Sequence, residues 1–244
     1  MKMKRLLPIL ALAVLMSACI DPNDPTEPTV SKFSILGDSY SSFEGYVDPE
    51  TNDVWEHYET IGVTSVEQMW WHQVATQMGW TVEKNNSFSG SLICNYADFE
   101  GGSYYTRHSF IRRMDDLGNP DVIFILGGTN DVWKDAPFGD FIYADWTEEQ
   151  LCCFRPAMAY MLDNVKRLHP DAHIYFLLET GPCPGGITEE TRQNLVESAH
   201  RIANHYSIEC IDLTIHKDWW HPDVQGQKDI ASQVLEVLEA DFNV

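Results

Sequence analysis

The sequence predicts an α/β protein: a right-handed, mostly parallel sheet covered by helices on both faces. Three observations carry that prediction. Short apolar runs recur along the chain, the strongest being Val122-Ile123-Phe124-Ile125-Leu126, an unbroken stretch of the kind that a strand buried on both faces requires. Segments with apolar residues at helical spacing lie between these runs. Two of the runs end in glycine-containing polar turns, Gly37-Asp38-Ser39 and Gly127-Gly128-Thr129-Asn130-Asp131, at the sheet edge where open α/β proteins hold their sites.

Taken in order, residues 33–36 form a strand that runs into Gly37-Asp38-Ser39. A helix over 66–78 puts Met69, Trp70, Val74 and Met78 on roughly one face. Residues 81–84 are a weaker second strand, and 121–126 the third. The next helix, over 147–168, spaces Leu151, Phe154, Met158, Met161, Leu162 and Val165 helically and ends before Pro170. Residues 173–178 give a fourth strand. Breakers follow at Gly181-Pro182 and Pro184-Gly185-Gly186, and then Thr188 caps a helix reaching about Tyr206. Residues 208–213 form the last strand, and Asp223 caps a final helix striped by Ile230, Val234 and Leu238. A chain of 244 residues, 44% of them hydrophobic, suits a single domain with a substantial core.

The N-terminus stands apart. Lys2, Lys4 and Arg5 precede an apolar stretch over 6–16, then Leu15-Met16-Ser17-Ala18-Cys19. The stretch is short for a membrane span and reads as an export signal. It resembles a bacterial lipoprotein signal over 1–18, which implies lipidation at Cys19 and an anchor in the outer membrane. Residues 19–31, rich in proline and acid, form a flexible tether, and 32–244 form the folded domain. The net charge of −21 excludes nucleic-acid and anionic-membrane partners, since the protein repels both. Any membrane association therefore runs through the anchor alone. No sequence feature fixes an oligomeric state.

The cysteines are Cys19, Cys94, Cys152, Cys153, Cys183 and Cys210. With Cys19 acylated, five remain, so at least one is unpaired in a monomer. Their spacing offers no Cys-x-x-Cys pair and no metal-binding cluster, and Cys210 reads as a small buried hydrophobe.

The chemistry is carried by residues far apart in sequence. Ser39 sits where a strand turns sharply, presenting a hydroxyl that needs a proton acceptor within about 3 Å. His221, in Asp218-Trp219-Trp220-His221-Pro222, is the expected acceptor, with Asp218 holding the other ring nitrogen. An oxyanion needs donors, and the expected ones are the backbone N–H groups of Ser39 and Gly90 and the side-chain amide of Asn130. Asp38 and Asp131 are expected to organise turns rather than act as bases. The loops over 44–65 and 133–146 emerge at the same edge, so Trp55, Trp133, Trp219 and Trp220 are candidates for a substrate wall.

With these residues in place, the chain resembles the SGNH hydrolase superfamily, the GDSL-like lipases and esterases. Gly37-Asp38-Ser39, Gly90, Gly128-Thr129-Asn130-Asp131 and Asp218-Trp219-Trp220-His221-Pro222 match its four blocks in order. After Ser39 the sequence departs from the common pattern, running Tyr40-Ser41-Ser42-Phe43. The resemblance implies a three-layer α/β/α sandwich with a flavodoxin-like sheet of five parallel strands. It also implies a cofactor-free serine esterase working through an acyl-enzyme. Acidity and tryptophan-rich loops favour an acylated sugar. Lysophospholipid or thioester hydrolysis is the alternative if Trp70, Trp71 and the loops form an apolar tunnel, and a non-catalytic glycan-binding lipoprotein is the remote one.

Overall fold

The computed structural model describes residues 31–182 and 187–242. The expected signal, Cys19, the tether as far as residue 30, Cys183 and the Pro184-Gly185-Gly186 breaker lie outside the described residues. Five strands, β1 (Lys32–Gly37), β2 (Thr81–Ser87), β3 (Val122–Leu126), β4 (His173–Glu179) and β5 (Glu209–Leu213), form a sheet of order β2-β1-β3-β4-β5. All four pairings are parallel. This is the three-layer, flavodoxin-like architecture that the sequence implies.

Side-chain alternation along each strand sends successive residues to opposite faces, and the two cores follow from it. Phe33, Ile35, Val122, Phe124, Leu126, Tyr175 and Leu177 build one core. Helices α1 (Trp70–Met78) and α7 (Val224–Phe242) close it with Trp70, Val74, Ile230, Val234 and Leu238. Leu36, Ile123, Ile125, Phe176 and Leu178 build the other. It is covered by α5 (Phe154–Leu168) and α6 (Glu189–His205), which contribute Phe154, Met158, Met161, Leu195 and Ile202. The expected caps are present: Thr188 Oγ1 accepts from Thr191 N–H at 3.1 Å, and Asp223 Oδ1 from Gly226 N–H at 2.9 Å.

Three elements differ from expectation, each through a tertiary contact. The helix expected from residue 66 is a 3-10 turn, Val66–Gln68, followed by an extended Met69 at ψ 139°. There Trp70 N–H donates to Gln227 Oε1 at 2.9 Å rather than into the preceding turn. The helix expected from 147 begins only at Phe154, whose N–H donates to Pro137 O at 2.9 Å. Strand β2 runs on through polar Asn85, Asn86 and Ser87. Burial of these residues is tolerated because their side chains find partners: Asn85 Nδ2 donates to Ser41 O, Asn86 Nδ2 to Arg113 O and Ser87 Oγ to Asn85 Oδ1.

From β1 the chain crosses over to β2 at one edge, and from β3 to β4 and β5 towards the other. The switch point therefore lies between the carboxyl ends of β1 and β3, the crevice in which ligands of open α/β sheets bind.

Candidate active site

Strand β1 ends at Gly37, so Ser39 emerges at this crevice with 5% of its surface exposed. Its Oγ lies 3.0 Å from His221 Nε2 across 182 residues of sequence, within reach for proton transfer. The turn is held from several sides. Asp38 Oδ1 accepts from Tyr40 N–H at 2.9 Å, Ser41 and Ser42 N–H donate to Asp38 O, and the Tyr58 hydroxyl donates to Ser39 O. The Asp38 carboxyl is pushed up to about 7, chiefly by burial and further by the charge of Asp131. This fits the expected role for Asp38, because its carboxyl accepts from the turn and from Asn130.

His221 comes from a small antiparallel ribbon, β6 (Lys217–Asp218) and β7 (His221–Pro222). Trp219, at φ 60°, and Trp220 form its two-residue turn. The Trp55 ring stacks on the imidazole at 3.6 Å and 14°, and Tyr40 meets its edge at 5.7 Å. Burial holds the imidazole down at about 4, with the charge of His57 acting in the same direction. Such a ring is neutral near pH 7 and able to accept a proton.

Asp218 is placed differently from expectation. Its backbone pairs directly with His221, and directly opposed residues share one face of a ribbon. The carboxylate is nevertheless solvent-exposed and makes no hydrogen bond to the imidazole among the described residues. An isolated carboxylate is better hydrated outside than buried against a ring.

The ribbon is tied to the sheet by a pair that the sequence did not reveal. Lys217 Nζ lies 2.9 Å from Glu179 Oε2, with side chains 7% and 3% exposed, and Glu179 Oε1 also accepts from Gly181 N–H at 2.8 Å. Glu179 ends β4, so the pair fastens the His221 ribbon to the edge that carries Ser39.

The short helix α4 (Thr129–Trp133) follows Gly128, whose φ of 104° is open to glycine and rarely to other residues. It carries Asn130, whose Nδ2 donates to Ser91 O at 3.0 Å and to Asp38 Oδ2 at 3.3 Å. Asp131 beside it accepts from Ile93 and Cys94 N–H at 2.9 and 3.2 Å, fixing the loop after β2. In that loop Gly90 has φ 75°, and a Cβ there would meet Tyr105 Cε1 at 2.6 Å. Arg113, buried and held down at about 9 by desolvation, spans the same region. It donates to Gly37 O and Ser91 Oγ, each at 3.0 Å. No local sequence signal marks Arg113, since its acceptors are dispersed from Gly37 to His108.

A cavity of about 520 Å³ opens beside this cluster. Ser39, Gly90, Asn130, Asp218 and His221 all line it, as do Trp55, Trp133, Trp219 and Trp220. His57, Thr60 and Ile61 join them from the 44–65 loop, as does Tyr105, which was not expected. Trp133 and Trp220 lie 5.4 Å apart, with Lys134 Nζ 3.8 Å above the Trp133 ring. One loop expectation needs correction. Beyond Trp133, the aromatics Phe138, Phe141, Tyr143 and Trp146 pack on the helical core instead of the cavity, where more apolar surface is available to bury. Trp70 and Trp71 are fully buried and bonded to Ser41, so they form no tunnel.

A serine hydroxyl and a neutral imidazole meeting at the switch point of a parallel α/β/α sandwich define a serine hydrolase. The comparisons give the family. The GDSL-like Lipase/Acylhydrolase family matches residues 31–238. A protein named as a GDSL-like lipase from Bacteroides ovatus is 44% identical, with 87% of this chain and 99% of that chain covered and a TM-score of 0.77. One so named from Bacteroides uniformis is 40% identical, with 87% and 97% covered and a TM-score of 0.75. A family two carbohydrate esterase from Clostridium thermocellum, in complex with cellohexaose, shares the fold at 17% identity, with 88% and 66% covered and a TM-score of 0.56. Comparison with curated proteins finds no match. The chain belongs to the GDSL-like lipase/acylhydrolase family and is a serine hydrolase of the SGNH type.

Proposed function

We propose that this protein hydrolyses O-acyl esters of carbohydrates, with O-acetyl groups first among them, through a Ser39 acyl-enzyme. Ser39 Oγ attacks the ester carbonyl as His221 Nε2 takes its proton, and His221 then gives that proton to the leaving sugar oxygen, which departs as the hydroxyl. Water, deprotonated by the same imidazole, releases the acid. Asp218 orients His221 after a side-chain rotation, a role supported by its position directly across the ribbon. The oxyanion is bound by the N–H groups of Ser39 and Gly90 and by Asn130 Nδ2. The long 3.3 Å contact of Asn130 to Asp38 is the one an oxyanion takes over.

The observation that carries the sugar reading is the rim of the cavity. Trp219 is 74% exposed and Trp133 44% exposed beside the serine, large flat faces that water covers poorly and a sugar ring covers well. The carbohydrate esterase that shares the fold is consistent with this. The test is the kcat/KM ranking of acetylated oligosaccharides, lysophospholipids and acyl thioesters, with Ser39→Ala as the control. Acetylated sugars should lead. A lysophospholipid or long-chain thioester leading would overturn the sugar reading, and glycan binding without turnover of any ester would favour a non-catalytic module.

The basic start, apolar stretch and Cys19 support export and lipid anchoring at the bacterial outer membrane. No helix among the described residues is long and apolar enough to cross a membrane. Cys19→Ala should release the protein from the membrane fraction.

A further inference from the structure

Away from the serine, three side chains from two elements converge. Cys210 and Asp212 lie two residues apart on the edge strand β5 and so share a face. His200 reaches them from α6. The ligand atoms of all three lie within 4.8 Å of one another, and His200 Nε2 is 2.8 Å from Asp212 Oδ1. Cys210 is half-buried against the helical core, whereas the His200 and Asp212 side chains are 37% and 51% exposed. The thiol thus sits beneath a solvent-accessible imidazole–carboxylate pair, and an ion can enter from the open side.

We propose that His200, Cys210 and Asp212 bind a divalent ion of the zinc class, which staples α6 to the edge strand. The donor set is one imidazole nitrogen, one thiolate sulfur and one carboxylate oxygen, the mixture that a borderline-soft tetrahedral ion accepts and that calcium or magnesium does not. Water completes the fourth position. Donors around such an ion, with bonds of about 2.0–2.3 Å, sit about 3.3–3.7 Å apart. The imidazole and carboxylate therefore separate slightly as the ion replaces their shared proton. The Cys210 thiol, pushed up to about 12 by burial and by the Asp212 charge, loses its proton to solvent as the metal–sulfur bond forms.

The test uses the full chain freed of metal with a chelator and titrated with Zn2+ and, separately, Co2+. At an ion concentration about a hundred times Kd, Zn2+ should raise Tm by about 5–10 °C. Co2+ should give a thiolate-to-metal charge-transfer band that saturates at one ion per chain. Cys210→Ser should remove the band, and the exposed His200→Gln should remove the Tm rise. Cys152→Ser and Cys153→Ser should keep both. Equal Tm of variant and wild type in chelator shows that the fold is unharmed. A band that survives Cys210→Ser, or a wild-type chain with neither band nor Tm rise, overturns the site. A Tm rise without a thiolate band overturns ligation by Cys210. Ester turnover enters none of these readouts.

Discussion

Replacing Asp218 with Asn tests how the His221 ring comes to carry its charge in the transition state. In the resting structure His221 is held at about 4 by burial, with no carboxylate on its ring. The transition state needs that ring charged, because it must accept the Ser39 proton. A fall from the usual 6.5 to about 4 corresponds to about 3.4 kcal/mol against the charged ring. If Asp218 rotates across the ribbon to offset that penalty, losing its charge should cost roughly 300-fold in kcat. KM should stay nearly constant, because Asp218 acts on the imidazole and leaves substrate binding alone. The pH dependence supplies an independent check. Activity requires neutral His221, so it falls as acidity protonates the ring. An engaged Asp218 raises the pKa of that limb, and Asp218→Asn should shift it to lower pH, towards about 4. The assay is initial rates on an acetylated sugar across a pH series for both proteins. Asp218→Asn activity within about threefold of wild type, with the acid limb unmoved, would refute the orienting role. His221 would then work as a dyad with Ser39, steadied by Trp55.

Three further outcomes are expected. Asn130→Ala should lower kcat about 100- to 1000-fold as an oxyanion donor is lost, measured as initial rates at saturating substrate. Gly90→Ala should lose both Tm and kcat, because its Cβ would meet Tyr105 Cε1 at 2.6 Å at a φ of 75°. Gly90→Ala combined with Tyr105→Ala should recover part of the Tm if that clash is the cause. Lys217→Met should destabilise the fold by about 3–5 kcal/mol by removing the cation beside the buried Glu179 carboxylate, while adding Glu179→Met should restore part of it. In denaturant melts the double variant should be more stable than Lys217→Met, yet its kcat should stay depressed if the pair positions the His221 ribbon.

Much of the fold was legible because its signals are local. The run over Val122–Leu126 is buried on both faces, and among the described residues no other element hides five consecutive large apolar residues so simply. The convergence of Ser39, Gly90, Asn130 and His221 on one cavity was legible because each follows a strand or turn signal, and the parallel arrangement gathers such ends at one edge. The tail of β2 was illegible because Asn85 and Asn86 are held by partners 44 and 27 residues away, and Ser87 by Asn85 in turn. Composition registers polarity and cannot see those partners.

The sequence by itself determined the layer order and the inventory of reacting groups, since apolar periodicity and turn chemistry act over a few residues. Only the tertiary structure decided which groups touch. It put Trp55 flat on the His221 ring, left the Asp218 carboxylate in water and buried the Glu179–Lys217 pair. It also turned His200 towards Cys210 and Asp212. These contacts depend on distances and solvation across separate elements, quantities that exist only once the chain has packed.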